Sequence, residues 1–163
     1  MKLKVKRSRK QSLPKILDNL KSLNRANTEV GFFDGEPHPD SDLDLASIAT
    51  LLELGTVDGT QKARFPMEKV AIESSPDRAP EVYAAVSKYM RSLPRKDGSE
   101  RLLDDIGTFY RDEYKNILGD ASRLRSNEPS VIEKKGRDEP GIDTGYLHDN
   151  VGFRTSKNKQ VRK

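Results

Sequence analysis

Two short stretches of this sequence hold residue types that could do chemistry. The first is Asp143-Thr144-Gly145, inside GIDTGYLHDN. The same triplet presents the reactive carboxylate in proteases that set two aspartates face to face, one acting as base and the other as acid. The surroundings here do not fit that chemistry. Only Ile142 is apolar immediately upstream, Gly136-Arg137-Asp138 comes before the triplet instead of after it, and 18 residues follow Gly145. That is too short a stretch for a flap, a substrate wall and dimer strands. A local role fits better: Asp143 or Thr144 offers a side-chain oxygen to the free N–H groups of a short helix beginning near Gly145.

The second stretch is His38-Pro39-Asp40-Ser41-Asp42-Leu43-Asp44, which spaces its carboxylates like a calcium loop. Counted from Asp40, Leu45 falls where the sharp turn requires glycine and Leu51 where a bidentate glutamate closes the cage. Acids leading into a helix are the better account, since Asp42 and Asp44 suit a helix N-terminus. The histidines are His38 and His148 alone, and cysteine is absent. No nucleophile elbow or phosphate-cradling glycine loop is present. The expectation is a protein that is not an enzyme and uses no cofactor or metal. Tyr83, Tyr89, Phe109, Tyr110 and Tyr114 recur at helical spacings and read as core or interface, not as base-stacking platforms.

Apolar periodicity places the elements around these stretches. Leu13, Ile16, Leu17, Leu20 and Leu23 predict an amphipathic helix over 11–24, with Pro14 in its first turn. Residues 28–33 predict a strand closed by Asp34-Gly35, and the loop EPHPDSD leads to a helix over about 43–54 stopped by Gly55. A short segment is expected from Pro66 to just before Pro76, and a separate helix from Pro80 carrying Val82, Ala85, Val86, Tyr89 and Leu93 on one face. Ser99 is the expected N-cap of a longer helix with Leu102, Leu103, Ile106, Phe109, Tyr110, Ile117 and Leu118. A capped turn over 127–136 ends at Gly136, a helical turn spans Tyr146 to Asn150, and a last strand runs from Val151 to Arg154. Helices with few strands and no regular βαβ alternation indicate α+β: a small, mostly antiparallel sheet packed by several amphipathic helices, with basic extended termini.

Composition limits the rest. Hydrophobic residues make up 33% and charged residues 34% of 163 positions, which suits one modest core with solvated extensions. No apolar run approaches the ~18 residues that span a bilayer, so a soluble chain without membrane contact is expected. The net charge of +4 is unevenly spread: residues 1–15 carry +7, residues 154–163 carry +5, and the stretch between carries −8. The expected organisation is a basic N-terminal arm over 1–10, one α+β domain over 11–154 and a basic tail over 155–163. An acidic body between basic ends is not the profile of a dedicated nucleic-acid-binding domain. The ends read as solvated tails, or as segments that touch an acidic partner or polyanion after assembly.

The order of the motifs resembles the small tail-component, or virion-morphogenesis, proteins of tailed bacteriophages. Four pieces carry the likeness: Thr28-Glu29-Val30-Gly31-Phe32-Phe33-Asp34-Gly35; Ile48 to Thr56, ending in Leu54-Gly55-Thr56; Ala63-Arg64-Phe65-Pro66-Met67, with Phe and Pro reversed relative to the family; and Pro129 to Gly136 followed by Ile142-Asp143-Thr144-Gly145-Tyr146-Leu147. The match spans about residues 28–154. The resemblance implies a non-catalytic virion protein, made in the host cytoplasm, that completes the neck or the tail and joins head to tail. Its implied partners are copies of itself in a ring, commonly a hexamer, and neighbouring neck, tail-terminator or tail-tube proteins, with passing contact to packaged DNA. It further implies that Gly55, Thr56, Gly136, Asp143, Thr144 and Gly145 are structural joints. In that setting Lys2, Lys4, Lys6, Arg7, Arg9 and Lys10 form an arm laid on an adjacent subunit. Two rival expectations are a stand-alone nucleic-acid-binding protein working through its basic ends and a metal-dependent enzyme using Asp40, Asp42 and Asp44, against which the missing ligand pattern argues.

Overall fold

The computed structural model describes residues 13–24, 26–59, 63, 67–92, 98–142, 144–156 and 160–163. In chain order the elements are α1 (Leu13–Leu23), β1 (Thr28–Gly31), β2 (Pro37–His38), β3 (Ser41–Asp44), α2 (Leu45–Leu54), α3 (Met67–Ser92), α4 (Gly98–Ile117), α5 (Pro129–Lys135), α6 (Tyr146–Asp149) and β4 (Gly152–Thr155). The fold is α+β. Two antiparallel two-stranded sheets, β1–β4 and β2–β3, accompany the helices.

α4 organises the body. It packs against α1, α3, β1 and β4, because its apolar residues point to more than one side. Leu102 joins Tyr89 of α3, with Ile16 and Leu23 of α1, Ala85 and Ile106 packed around them. At the other end of the helix, Ile117 meets Leu118, Leu124 and Val151, and Phe32, Leu52, Tyr114 and Ile142 close over this second cluster. Between the two clusters lies Gly107. A Cβ at that position would sit 2.2 Å from Cδ2 of Phe153, so the missing side chain is what lets β4 lie against the helix.

β1 and β4 pair in the register Thr28↔Thr155, Glu29↔Arg154, Val30↔Phe153 and Gly31↔Gly152. Thr28 donates its hydroxyl to the Leu103 carbonyl of α4 at 3.3 Å. By the alternation of a strand, Thr28, Val30 and Phe153 therefore face the helix, and Glu29 and Arg154 face away. On that outer face Arg154 Nε meets Glu29 Oε2 at 2.6 Å, and its guanidinium stacks 4.6 Å above the Phe33 ring.

Several expectations are corrected. The polar loop EPHPDSD contains a small hairpin, with Pro37 opposite Asp44 and His38 opposite Ser41. α2 begins at Leu45 instead of 43 because Asp44 stays extended and caps it. α3 continues through Pro76 and Pro80 as one helix of 26 residues. Each interior proline removes one helix hydrogen bond at a cost of about 3 kcal/mol, but the bonds of the flanking turns persist. Ser99 is not the N-cap of α4; it lies buried within the first turn of a helix that starts at Gly98.

Of the expected tail over 155–163, residues 157–159 lie outside the described residues, and the described ones lie against the body. Thr155 is buried at the end of β4, and the chain returns so that Arg162 pairs with Phe153. Phe153 donates its N–H to the Arg162 carbonyl at 2.9 Å, and Arg162 donates to the Phe153 carbonyl at 2.8 Å. A Cβ on Gly152 would stand 2.6 Å from Val161 Cγ1, so glycine again permits the approach. The folded body reaches the last residue, Lys163, whose Nζ lies 3.1 Å from Glu36 Oε2 and donates to Asn150 Oδ1 at 2.6 Å.

Candidate functional site

The residues singled out in the sequence divide into backbone joints, charges and apolar surface. Gly55 ends α2 with φ 77° and donates its N–H to the Leu51 carbonyl at 2.9 Å. Thr56 opens the turn that follows, accepting from the Gly59 N–H at 3.0 Å. Gly136 ends α5 in the left-handed conformation, φ 71° and ψ 9°, donating to the Ile132 carbonyl at 2.7 Å. A side chain is disfavoured at that geometry, which is why glycine is common one residue past a helix.

Gly145 also adopts the left-handed region, φ 86°, immediately before α6. Of the two expected caps, Thr144 accepts at Oγ1 from the Tyr146 N–H at 3.3 Å; Asp143 lies outside the described residues. The joint aims Tyr146 at the β2–β3 hairpin. Its hydroxyl donates to the Pro37 carbonyl at 3.1 Å, and its ring meets His38 edge-on at 5.1 Å. Upstream, Lys135 Nζ donates to the Ile142 carbonyl at 3.0 Å and Asp138 Oδ1 accepts from the Asn127 N–H at 2.9 Å. The segment from α5 to α6 is thus pinned at both sides of the triplet. Sequence spacing gave no sign that Tyr146 would dock on Pro37, since the contact crosses 109 positions.

Of the acids of the second stretch, Asp44 is engaged in folding, whereas Asp40 and Asp42 are exposed. Asp44 Oδ1 accepts from the Ser47 N–H at 2.8 Å and Oδ2 from the Gly35 N–H at 3.1 Å. Bonds from Ser47, then from Gly35, hold its pKa below the ordinary value. Among the described residues no three potential metal ligands converge. Asp120 is held low in the same way by the Ser122 hydroxyl and N–H, at 2.6 and 2.9 Å. His148 Nδ1 lies 3.0 Å from Asp149 Oδ1 on the surface turn.

The described cations of the C-terminal end are drawn onto the body; Lys157 and Lys159 lie outside the described residues. Arg154 meets Glu29, Arg162 meets Asp104 at 2.6 Å, and Lys163 meets Glu36. The Asp104 partner, first among the causes, raises the Arg162 pKa further. Lys2, Lys4, Lys6, Arg7, Arg9 and Lys10 lie outside the described residues, as do Arg64, Phe65 and Pro66.

Among the described residues, apolar side chains are left open on α1 at Leu17 and Leu20, on β3 at Leu43, on α3, and at the end of α2. On α3, Tyr89 is buried, whereas Tyr83, Val86 and Met90 are 69%, 37% and 51% exposed. Their i, i+3, i+7 spacing puts them on a second face of the helix, away from α4. Val86 thus turns away from the Ala85–Tyr89 side on which the sequence reading placed it. At the end of α2 and the turn beyond it, Leu54 and Val57 project into solvent. No protein-family model matches this chain, and no curated protein or solved structure is significantly similar to it.

Proposed function

We propose that the protein is a non-catalytic structural component of a tailed-phage virion. In this reading it forms a ring of its own copies, with six expected, in the head-to-tail neck or at the tail end. One observation carries the reading: the residues through which the sequence resembles that family are spent on backbone geometry. Gly55, Gly136 and Gly145 take positive φ, and Thr144 Oγ1 accepts from the Tyr146 N–H two residues on.

The open apolar surfaces suit the same role. A ring built by rotation joins two different patches of one protomer, each facing the other's counterpart. The outer face of α3 and the Leu54–Val57 corner are separate surfaces of this kind, and exposed apolar groups at helical spacing mark contact sites. The stand-alone nucleic-acid-binding alternative is less well supported, because Arg154, Arg162 and Lys163 are already matched to carboxylates of the body.

Native mass spectrometry and negative-stain electron microscopy of the purified chain test the proposal. A closed ring is expected, with assembly reduced at least tenfold by Tyr83→Asp together with Met90→Asp while the helical circular dichroism is kept. A monomer at every concentration, or tight duplex-DNA binding that weakens steeply with salt, would overturn it. In the phage genome that encodes the chain, deletion of the gene should leave filled heads beside unjoined tails, or aberrant tails.

A further inference from the structure

Among the described residues, the sheet has one closed side and one open side. Phe153 spends its backbone groups on Arg162, so by the alternation of an antiparallel ladder Gly152 and Arg154 bond to Gly31 and Glu29. The N–H and C=O groups of Thr28 and Val30 then point away from β4. Among the described residues no backbone group bonds to them. β1 is therefore an edge able to accept another strand.

The sequence supplies a segment with the matching pattern. Lys2-Leu3-Lys4-Val5-Lys6 alternates charge and apolar residue strictly, the period of a strand with one face buried. We infer that this segment of a neighbouring copy adds to the β1 edge, with Leu3 and Val5 on the α4 side beside Thr28 and Val30, and Lys2, Lys4 and Lys6 on the outer side beside Glu29. Strand addition draws affinity from main-chain bonds and specificity from alternate side chains. Charge favours the same placement, since residues 1–10 carry +6 and the stretch 16–153 carries −8. A six-residue linker such as Arg7 to Ser12 can reach at most about 20 Å. The inference rests on the ring reading and names the contact that would link its copies.

The chain has no cysteine, so introduced thiols report without background. Full-length Lys4→Cys and Glu29→Cys variants, one carrying a mass tag, are mixed and oxidised. A disulfide-linked heterodimer between the two variants, at least tenfold more abundant than either homodimer, is expected. Removal of residues 2–6 should lower assembly at least tenfold without changing the thermal midpoint of the body. A disulfide formed only within one chain in the double variant would overturn the inference, as would rings that assemble normally without residues 2–6. In that last case the ring reading survives. If the unmodified chain never assembles, the ring reading itself fails.

Discussion

β1 and β4 are partners in one sheet, yet they are held very differently. β4 is enclosed: Gly107 brings it onto α4, β1 pairs along one edge, and the Arg162 segment pairs along the other. Phe153 and Thr155 are buried in consequence, while across the ladder Val30 is only half-buried and Glu29 is exposed. A strand paired on both sides is a fixed part of the fold. A strand paired on one side is a place where something further can bind. The described cations of the C-terminal end, Arg154, Arg162 and Lys163, are used within the body.

The contrast is sharpest at one rung. Phe153→Ala should destabilise the protein by about 4 kcal/mol, the range for a large buried aromatic, whereas Val30→Ala opposite it should cost about 1 kcal/mol for a half-buried aliphatic group. Urea unfolding of both variants measures this, and equal losses would erase the distinction between the strands. Gly107→Ala comes next. The added methyl gains some helix propensity but collides with the Phe153 ring, and a net loss of about 2 kcal/mol is expected. A variant as stable as the parent would mean that β4 does not need its close seat on α4.

The smallest effect concerns the corner that continues from β1. Because the Asp44 pKa is depressed in the folded chain, its contribution is fully present above the ordinary value of 3.8 and is lost as pH falls through the folded value. The stability gap between the parent and Asp44→Ala should be constant from pH 5 to 7 and shrink below pH 4. A gap that widened on acidification would contradict the capping role.

Local signals made much of this legible. The 3.6-residue spacing of Leu102, Leu103, Ile106 and Ile117 marks α4, and Gly136 marks the end of α5, because propensity and capping act within a few residues. The pairing of the first and last strands was not legible, nor was the return of residues 160–163, since neither carries a short-range cue. The β2–β3 hairpin escaped because its two rungs alternate no apolar residues. α3 was read as two pieces because proline is a strong local stop, and a continuous helix there is set by the surrounding fold. Of the candidate site, the glycine joints were visible as types. The outward stripe on α3 was hidden because it interleaves with the inward residues Ala85 and Tyr89 on the same helix.

The pairing of β1 with β4 also constrains when the molecule can form. The Glu29–Arg154 contact closes over 125 positions, giving the sheet a high contact order and a late, slow step in folding. During synthesis the helices can gather around α4 as they emerge, but β1 has no partner until residues 152–155 have been made. A chain halted before that point would expose both edges of β1, the state most open to unintended strand pairing. Synthesis of residues 152–155 is therefore the step that takes up one edge of β1 and leaves the other to a later partner.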